Sequence, residues 1–198
     1  MLIRKAKPED ADAIATYVLL AMRDIVYQFI GEKSNEKAAQ FLVSLIRKKA
    51  NQYSYENGWV IEIDNEVVAV AIVYEGARLQ ELREPVVETV KSMFNRDINP
   101  ENETEAGEYY IDSIGVSSQQ QGQGLGSKLF QFIIDEYVHN RNGTLGLLVD
   151  KKNPNAKKLY LRLGFEVVGE KTVAGKELEH LQLGRESLRK HHALRDGQ

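Results

Sequence analysis

The segment Ser117-Ser118-Gln119-Gln120-Gln121-Gly122-Gln123-Gly124-Leu125-Gly126-Ser127-Lys128 leaves an apolar strand and opens an apolar helix. Three glycines in five residues clear side chains from a stretch of backbone that an anion could approach. The N–H groups of a helix's first turn have no intrahelical acceptor, and the helix dipole favours negative charge beside them. Each charge-assisted bond contributes about 1.5–3 kcal/mol, so several could hold a pyrophosphate without any lysine. Gln121 could donate its amide and Ser127 its hydroxyl. A Walker loop needs Gly-Lys-Ser/Thr, and Gly126-Ser127-Lys128 has the wrong order. The spacing G-x-G-x-G also departs from the dinucleotide fingerprint G-x-G-x-x-G. Taken by itself, the segment is also open to being a strand-to-helix turn without ligand.

A second segment, Leu147 to Phe165, couples chemistry to clear helix punctuation. Asn153-Pro154 reads as an N-cap and first-turn proline, and Gly164 as the residue that ends the helix. Seven residues at 100° each return Tyr160 to about 20° from Asn153, with the small Ala156 close to the same face. Each residue has an ordinary alternative: Asn153 as a cap only, Tyr160 as a half-buried aromatic.

The elements that must position these groups follow from apolar periodicity. Leu2–Ala6 is expected to be a strand, and Pro8-Glu9-Asp10 opens a helix carried by Ile14, Tyr17, Val18, Ala21, Ile25 and Phe29. A second helix is expected from Asn35 to Lys49. A hairpin then joins Trp59–Ile63 to Val67–Tyr74 through Asp64-Asn65. The charged stretch 75–107 reads as an insertion between two strands, with one amphipathic helix beginning near Pro85. Tyr109–Val116 is a strand, Leu125–Val138 a helix, Thr144–Val149 a strand and Pro154–Leu163 a helix. Phe165–Val173 and Leu178–Leu183 form a last hairpin. The order βααββ, insertion, βαβα, ββ predicts an α/β fold: a mixed sheet with helices on both faces, one domain over 1–183 and a polar tail over 184–198.

The glycine turn resembles the Gln/Arg-x-x-Gly-x-Gly/Ala signature of the GNAT N-acetyltransferases, with Gln121, Gly124 and Gly126 at its fixed positions. The second segment resembles that family's block V-x-x-x-N-x-x-A-x-x-L/F-Y-x-x-x-G-F, from Val149 through Asn153, Ala156 and Tyr160 to Gly164-Phe165. The opening Ile3-Arg4-x-Ala6-x-x-x-Asp10-x-x-x-Ile14 is similar to family N-termini as well. The resemblance implies a mostly antiparallel sheet with one splayed parallel pair and acetyl-CoA as co-substrate. It also implies direct attack by a primary amine in a ternary complex. It places the CoA pyrophosphate on the amides of Gln121, Gly122, Gln123, Gly124, Leu125, Gly126 and Ser127. The pantetheine arm would lie along Ile114, Gly115 and Val116, with Asn153 beside it and Tyr160 facing the thioester sulfur. Gly115 suits a strand distortion of that kind, or simply lacks room against a helix.

An amine that must lose a proton before attack needs a base. Asp112 is the candidate, because strand alternation puts it on a face with Ile114 and Val116, where an apolar setting would raise its pKa. The alternative is a partner cation or a solvated strand end; Glu108 and a water chain are further options. His139, His180 and His191-His192 lack metal-ligand spacing and read as surface residues, so no metal is expected. Lys151, Lys152, Lys157 and Lys158 are read as a solvated face that could also attract the CoA phosphates.

Composition narrows the rest. The 198 residues carry 26 basic and 29 acidic side chains, a net charge of -3 that offers no footprint for nucleic acid or an anionic membrane. The absence of cysteine excludes disulfides and a catalytic thiol, and fits a reducing, cytoplasmic setting. No signal-like or membrane-spanning apolar run is apparent; the sequence does not fix an oligomeric state, and a homodimer is one reasonable assembly for a small enzyme. The acceptor is a small-molecule amine or a protein amino group. Two rivals stand beside the enzyme: a non-catalytic acyl-CoA sensor or interaction module on the same fold, and a nucleotide-binding protein.

Overall fold

The computed structural model describes residues 1–120 and 122–188. Seven strands form one sheet in the order β1-β2-β3-β4-β5-β7-β6. They are β1 (Leu2–Lys5), β2 (Gly58–Ile63), β3 (Glu66–Glu75), β4 (Tyr109–Val116), β5 (Leu145–Asp150), β6 (Glu166–Val173) and β7 (Lys176–Leu183). The helices are α1 (Ala11–Ile30), α2 (Asn35–Ile46), α3 (Leu79–Phe94), α4 (Leu125–Ile134) and α5 (Pro154–Arg162). The chain divides into two compact units.

The first unit comprises Met1–Tyr74, Arg78–Asn99 and Ile111–Phe130. Its strands β1, β2 and β3 are antiparallel, in register at Ile3↔Ile61 and Val60↔Val70. The β2–β3 hairpin turns at Asp64-Asn65, both with positive φ. Arg4 reaches Asp10 at 2.7 Å and Glu62 at 2.6 Å, tying β1 to the entry of α1. Helix α1 buries Ile14, Val18 and Val26, and kinks at Met22. By length and mean hydropathy (1.4) the stretch Pro8–Ile30 could cross a membrane, contrary to the expectation from sequence. Its apolar residues are instead those of a helix that packs one face into a core.

Helix α3 starts at Leu79, six residues before Pro85, so Pro85 lies inside the helix rather than opening it. Burial of Leu79 and Leu82 explains the earlier start, since these side chains gain from a turn that propensity alone would not form. Val86 and Val90 are buried as well, and Phe94 meets Phe41 of α2 edge to face at 6.0 Å. The helix is therefore part of a core, and a short turn could not replace it without loss of that core.

The second unit comprises Glu75–Ala77, Pro100–Tyr110 and the described part of Gln131–Gln198. Here the start of β4 runs parallel to β5 at Tyr109↔Leu145 and Tyr110↔Gly146, while β5–β7 and β7–β6 are antiparallel. The residues 100–108 form a strap on the β6–β7 hairpin. Glu101 accepts from the Ala174 N–H at 3.2 Å, and Lys171 lies 4.0 Å from Glu105. Helix α4 passes into a π-helical stretch, Asp135–Asn140, where an α-helix to Val138 was expected. Of the tail, Leu188 is buried and Arg185 donates to the carbonyls of Val138 and His139. His191 and His192 lie outside the described residues.

Candidate active site

Strand β4 alternates as its sequence requires. Ile111, Ser113 and Gly115 are buried, while Asp112, Ile114 and Val116 share the other, half-buried face. Gly115 is glycine because α1 approaches it: a Cβ there would collide with the backbone carbonyl of Tyr17. Asp112 carries a neighbour that its sequence context did not suggest. The Tyr74 hydroxyl donates to Asp112 Oδ1 at 3.4 Å, and accepts from Gln52 Nε2 at 3.0 Å. Tyr74 closes the apolar run Val67–Tyr74 inside β3, one residue before Glu75, and Gln52 is buried in the loop before β2. A lone phenol closing an apolar run was the one available signal.

Beyond β4, the Ser117 N–H donates to the Val68 carbonyl and a short 3-10 turn spans Ser118–Gln120. Gln121 lies outside the described residues. Gly122 and Gly124 follow with φ of 82° and 75°, the left-handed region open to glycine at little cost. Both are exposed, and a Cβ at either would meet nothing within 4 Å, so solvent reaches this backbone freely. The Lys128 N–H closes the first turn of α4 on the Gly124 carbonyl. By helix geometry the N–H groups of Leu125, Gly126 and Ser127, which precede that first donor, have no intrahelical acceptor. Gln123 and Ser127 are exposed, whereas Leu125 is buried and has only its backbone to offer.

In the second unit Asn153 caps α5, its side chain accepting from the Ala156 N–H at 3.1 Å. Tyr160 stands edge to face against Phe165 at 6.0 Å, and burial raises its phenol pKa above the ordinary value. Lys151 pairs with Glu170 and Lys157 with Glu179, each at 2.7 Å, so these two lysines already have carboxylate partners.

Glu108 and His180 behave differently from the reading of the sequence. His180 is buried, 3 % exposed, rather than a surface residue. Its Nε2 lies 2.8 Å from Glu108, which also accepts from Thr104 Oγ1 at 2.6 Å and Gln182 Nε2 at 2.7 Å. Burial pushes the Glu108 carboxyl up, but the hydrogen bonds from His180, Thr104 and Gln182 outweigh it and hold the pKa below the usual value. With its side chain fully buried and three partners on it, this carboxylate is closed to an approaching amine. Glu108 instead anchors the strap to β7, a role invisible in sequence because its partners are 72 and 74 residues away. Among the described residues, no group of three His, Asp or Glu side chains is placed to hold a metal ion.

A mixed sheet with one parallel pair, and a glycine-rich turn leading from strand to helix, are the architecture that the two sequence motifs led one to expect. The family model described as Acetyltransferase (GNAT) family matches residues 27–165, and the chain belongs to that family. A solved acetyltransferase is 32 % identical over 93 % of this chain and 99 % of its own, with a TM-score of 0.79. An N-acetyltransferase from Staphylococcus aureus Mu50 shares the fold at 23 % identity, with coverage of 92 % and 100 % and a TM-score of 0.80. A 5-NmdU N-acetyltransferase from Pseudomonas phage PaMx11 is 43 % identical over 65 residues, which are 33 % of this chain and 44 % of that protein.

Proposed function

We propose that the chain transfers an acetyl group from acetyl-CoA to a primary amine by direct attack within a ternary complex. The observation that carries this reading is the turn before α4. Exposed left-handed glycines at 122 and 124 lead straight into the first-turn N–H groups of a helix, which suits a pyrophosphate. Ile114, Gly115 and Val116 are the backbone candidates for the pantetheine arm, and Asn153 and Tyr160 of α5 complete the set by family resemblance. Sensing acyl-CoA without turnover is the competing function, and the retained Tyr160 speaks against it.

In this reading the acceptor ammonium gives one proton to Asp112 and the neutral nitrogen attacks the thioester carbonyl carbon. Negative charge gathers on the carbonyl oxygen, where a backbone N–H near Val116 would meet it. Collapse of the tetrahedral intermediate breaks the C–S bond and the sulfur leaves as a thiolate facing Tyr160. Of the two protons the nitrogen loses, one ends on sulfur and the other in solvent. The phage relative matches over less than half its length, so its acceptor does not carry over, and a net charge of -3 gives no electrostatic case for a polyanionic acceptor.

The test is acetyl-CoA consumption against a polyamine, an aminoglycoside, free amino acids and peptide amino groups, with CoA binding measured by calorimetry. At least one amine class should turn over, and Gly124→Asp should abolish CoA binding by adding a like charge beside the pyrophosphate. A folded Gly124→Asp protein with unchanged CoA affinity removes the pyrophosphate assignment. CoA binding without turnover of any amine favours the sensor.

A further inference from the structure

We infer that Tyr74 is a positioning residue for Asp112, and that Gln52 fixes the direction in which the Tyr74 hydroxyl points. The inference rests on the reading of Asp112 as the base. A phenol can donate one hydrogen bond and accept others. The Gln52 amide can only donate through Nε2, so at 3.0 Å it occupies the acceptor side of the Tyr74 oxygen. The phenol hydrogen is thereby turned towards Asp112 Oδ1. Gln52 is 4 % exposed and Tyr74 3 %, so water does not compete for either group.

Two consequences follow for the carboxyl. A donor on one oxygen holds the carboxylate plane and favours its ionised form, which is the form that takes a proton from an ammonium. Asp112 is half-buried and sits on the less buried face of β4, together with Ile114 and Val116. The Tyr74 contact, 3.4 Å, is long for O–H···O. Hydrogen bonds of this kind commonly tighten when substrate binds, and this one would slacken again once Asp112 is protonated. The arrangement therefore helps Asp112 both to start ionised and to keep one orientation, without Tyr74 touching the amine.

A double-mutant cycle separates positioning from packing. Using acetyl-CoA and the fastest amine of the panel, Asp112→Asn should lower kcat by about 100-fold or more. Tyr74→Phe keeps the ring, and should lower kcat by about 10-fold, the worth of one hydrogen bond, with KM for acetyl-CoA unchanged. In the Asp112→Asn background, Tyr74→Phe should cost nothing further. Without any substrate, the carboxyl-carbon NMR titration of Asp112 should move to higher pH in Tyr74→Phe. Equal losses from Tyr74→Phe in both backgrounds, or an unmoved titration, overturn the positioning role and leave the base intact. Wild-type kcat in Asp112→Asn removes the base itself, and the positioning role falls with it. A panel without any turnover overturns both.

Discussion

Tyr160 faces a demand that its environment makes specific. Burial raises its pKa above the ordinary phenol value of about 10, while a thiol sits near 8.5. In the proposed reaction, full proton transfer to a departing thiolate would therefore be uphill, and a hydrogen bond that strengthens as charge builds on sulfur is the better account. Such a contact forms mainly in the transition state, so Tyr160→Phe should lower kcat by about 100-fold while acetyl-CoA affinity stays within twofold. Single-turnover kinetics on a good acceptor measure this directly, and wild-type chemistry in the Phe protein would make Tyr160 a packing residue. Glu108 makes a contrasting prediction, in stability. Its folded pKa is depressed, so its contribution is fully present above the unfolded value of about 4.3 and is lost as pH falls through the lower folded value. Glu108→Gln should cost about 1–3 kcal/mol at pH 7, read as a lower Tm. The gap from wild type should narrow below about pH 4. A gap that stays constant into strong acid would rule out this linkage.

At the scale of elements, the turns and caps were the most legible features. Asp64-Asn65, Asn153-Pro154 and Gly164 state their conformations through local chemistry, and the structure follows each. Helix α3 was misplaced because Pro85 is a good opening residue, whereas burial of Leu79 and Leu82 extends the helix upstream of it. Local preferences of about 1 kcal/mol per residue yield to core burial of this size. Gly115 illustrates the same limit. Its lack of a side chain was visible, but only the approach of α1 shows what fills the space. Gly115→Ala should force β4 and α1 apart at Tyr17, at a cost of about 1–3 kcal/mol. Urea unfolding measures that cost, and an unperturbed midpoint would mean the two elements can shift without strain.

At the scale of the whole molecule, sequence alone was enough for the class of fold and the family, and it singled out the two segments on which the proposed CoA site rests. Each of these rests on neighbours in the chain. Glycines at 122, 124 and 126 set a backbone path, alternation along 109–116 sets a face, and Asn153 to Gly164 delimits one helix. The net charge of -3 likewise needs no structure to argue against polyanionic partners. Only tertiary structure could assign the long-range polar partners. Tyr74 is 38 residues from Asp112, and Glu108 is 72 from His180. Nothing in the local sequence distinguishes His180 from a solvated strand residue, nor Gln52 from a loop amide. Hydrogen bonding between side chains depends on distances of about 3 Å and on the exclusion of water, and both are set when distant strands pair and pack. Strand order decided that Glu108 would be an anchor, by bringing His180 and Gln182 of β7 to its carboxylate.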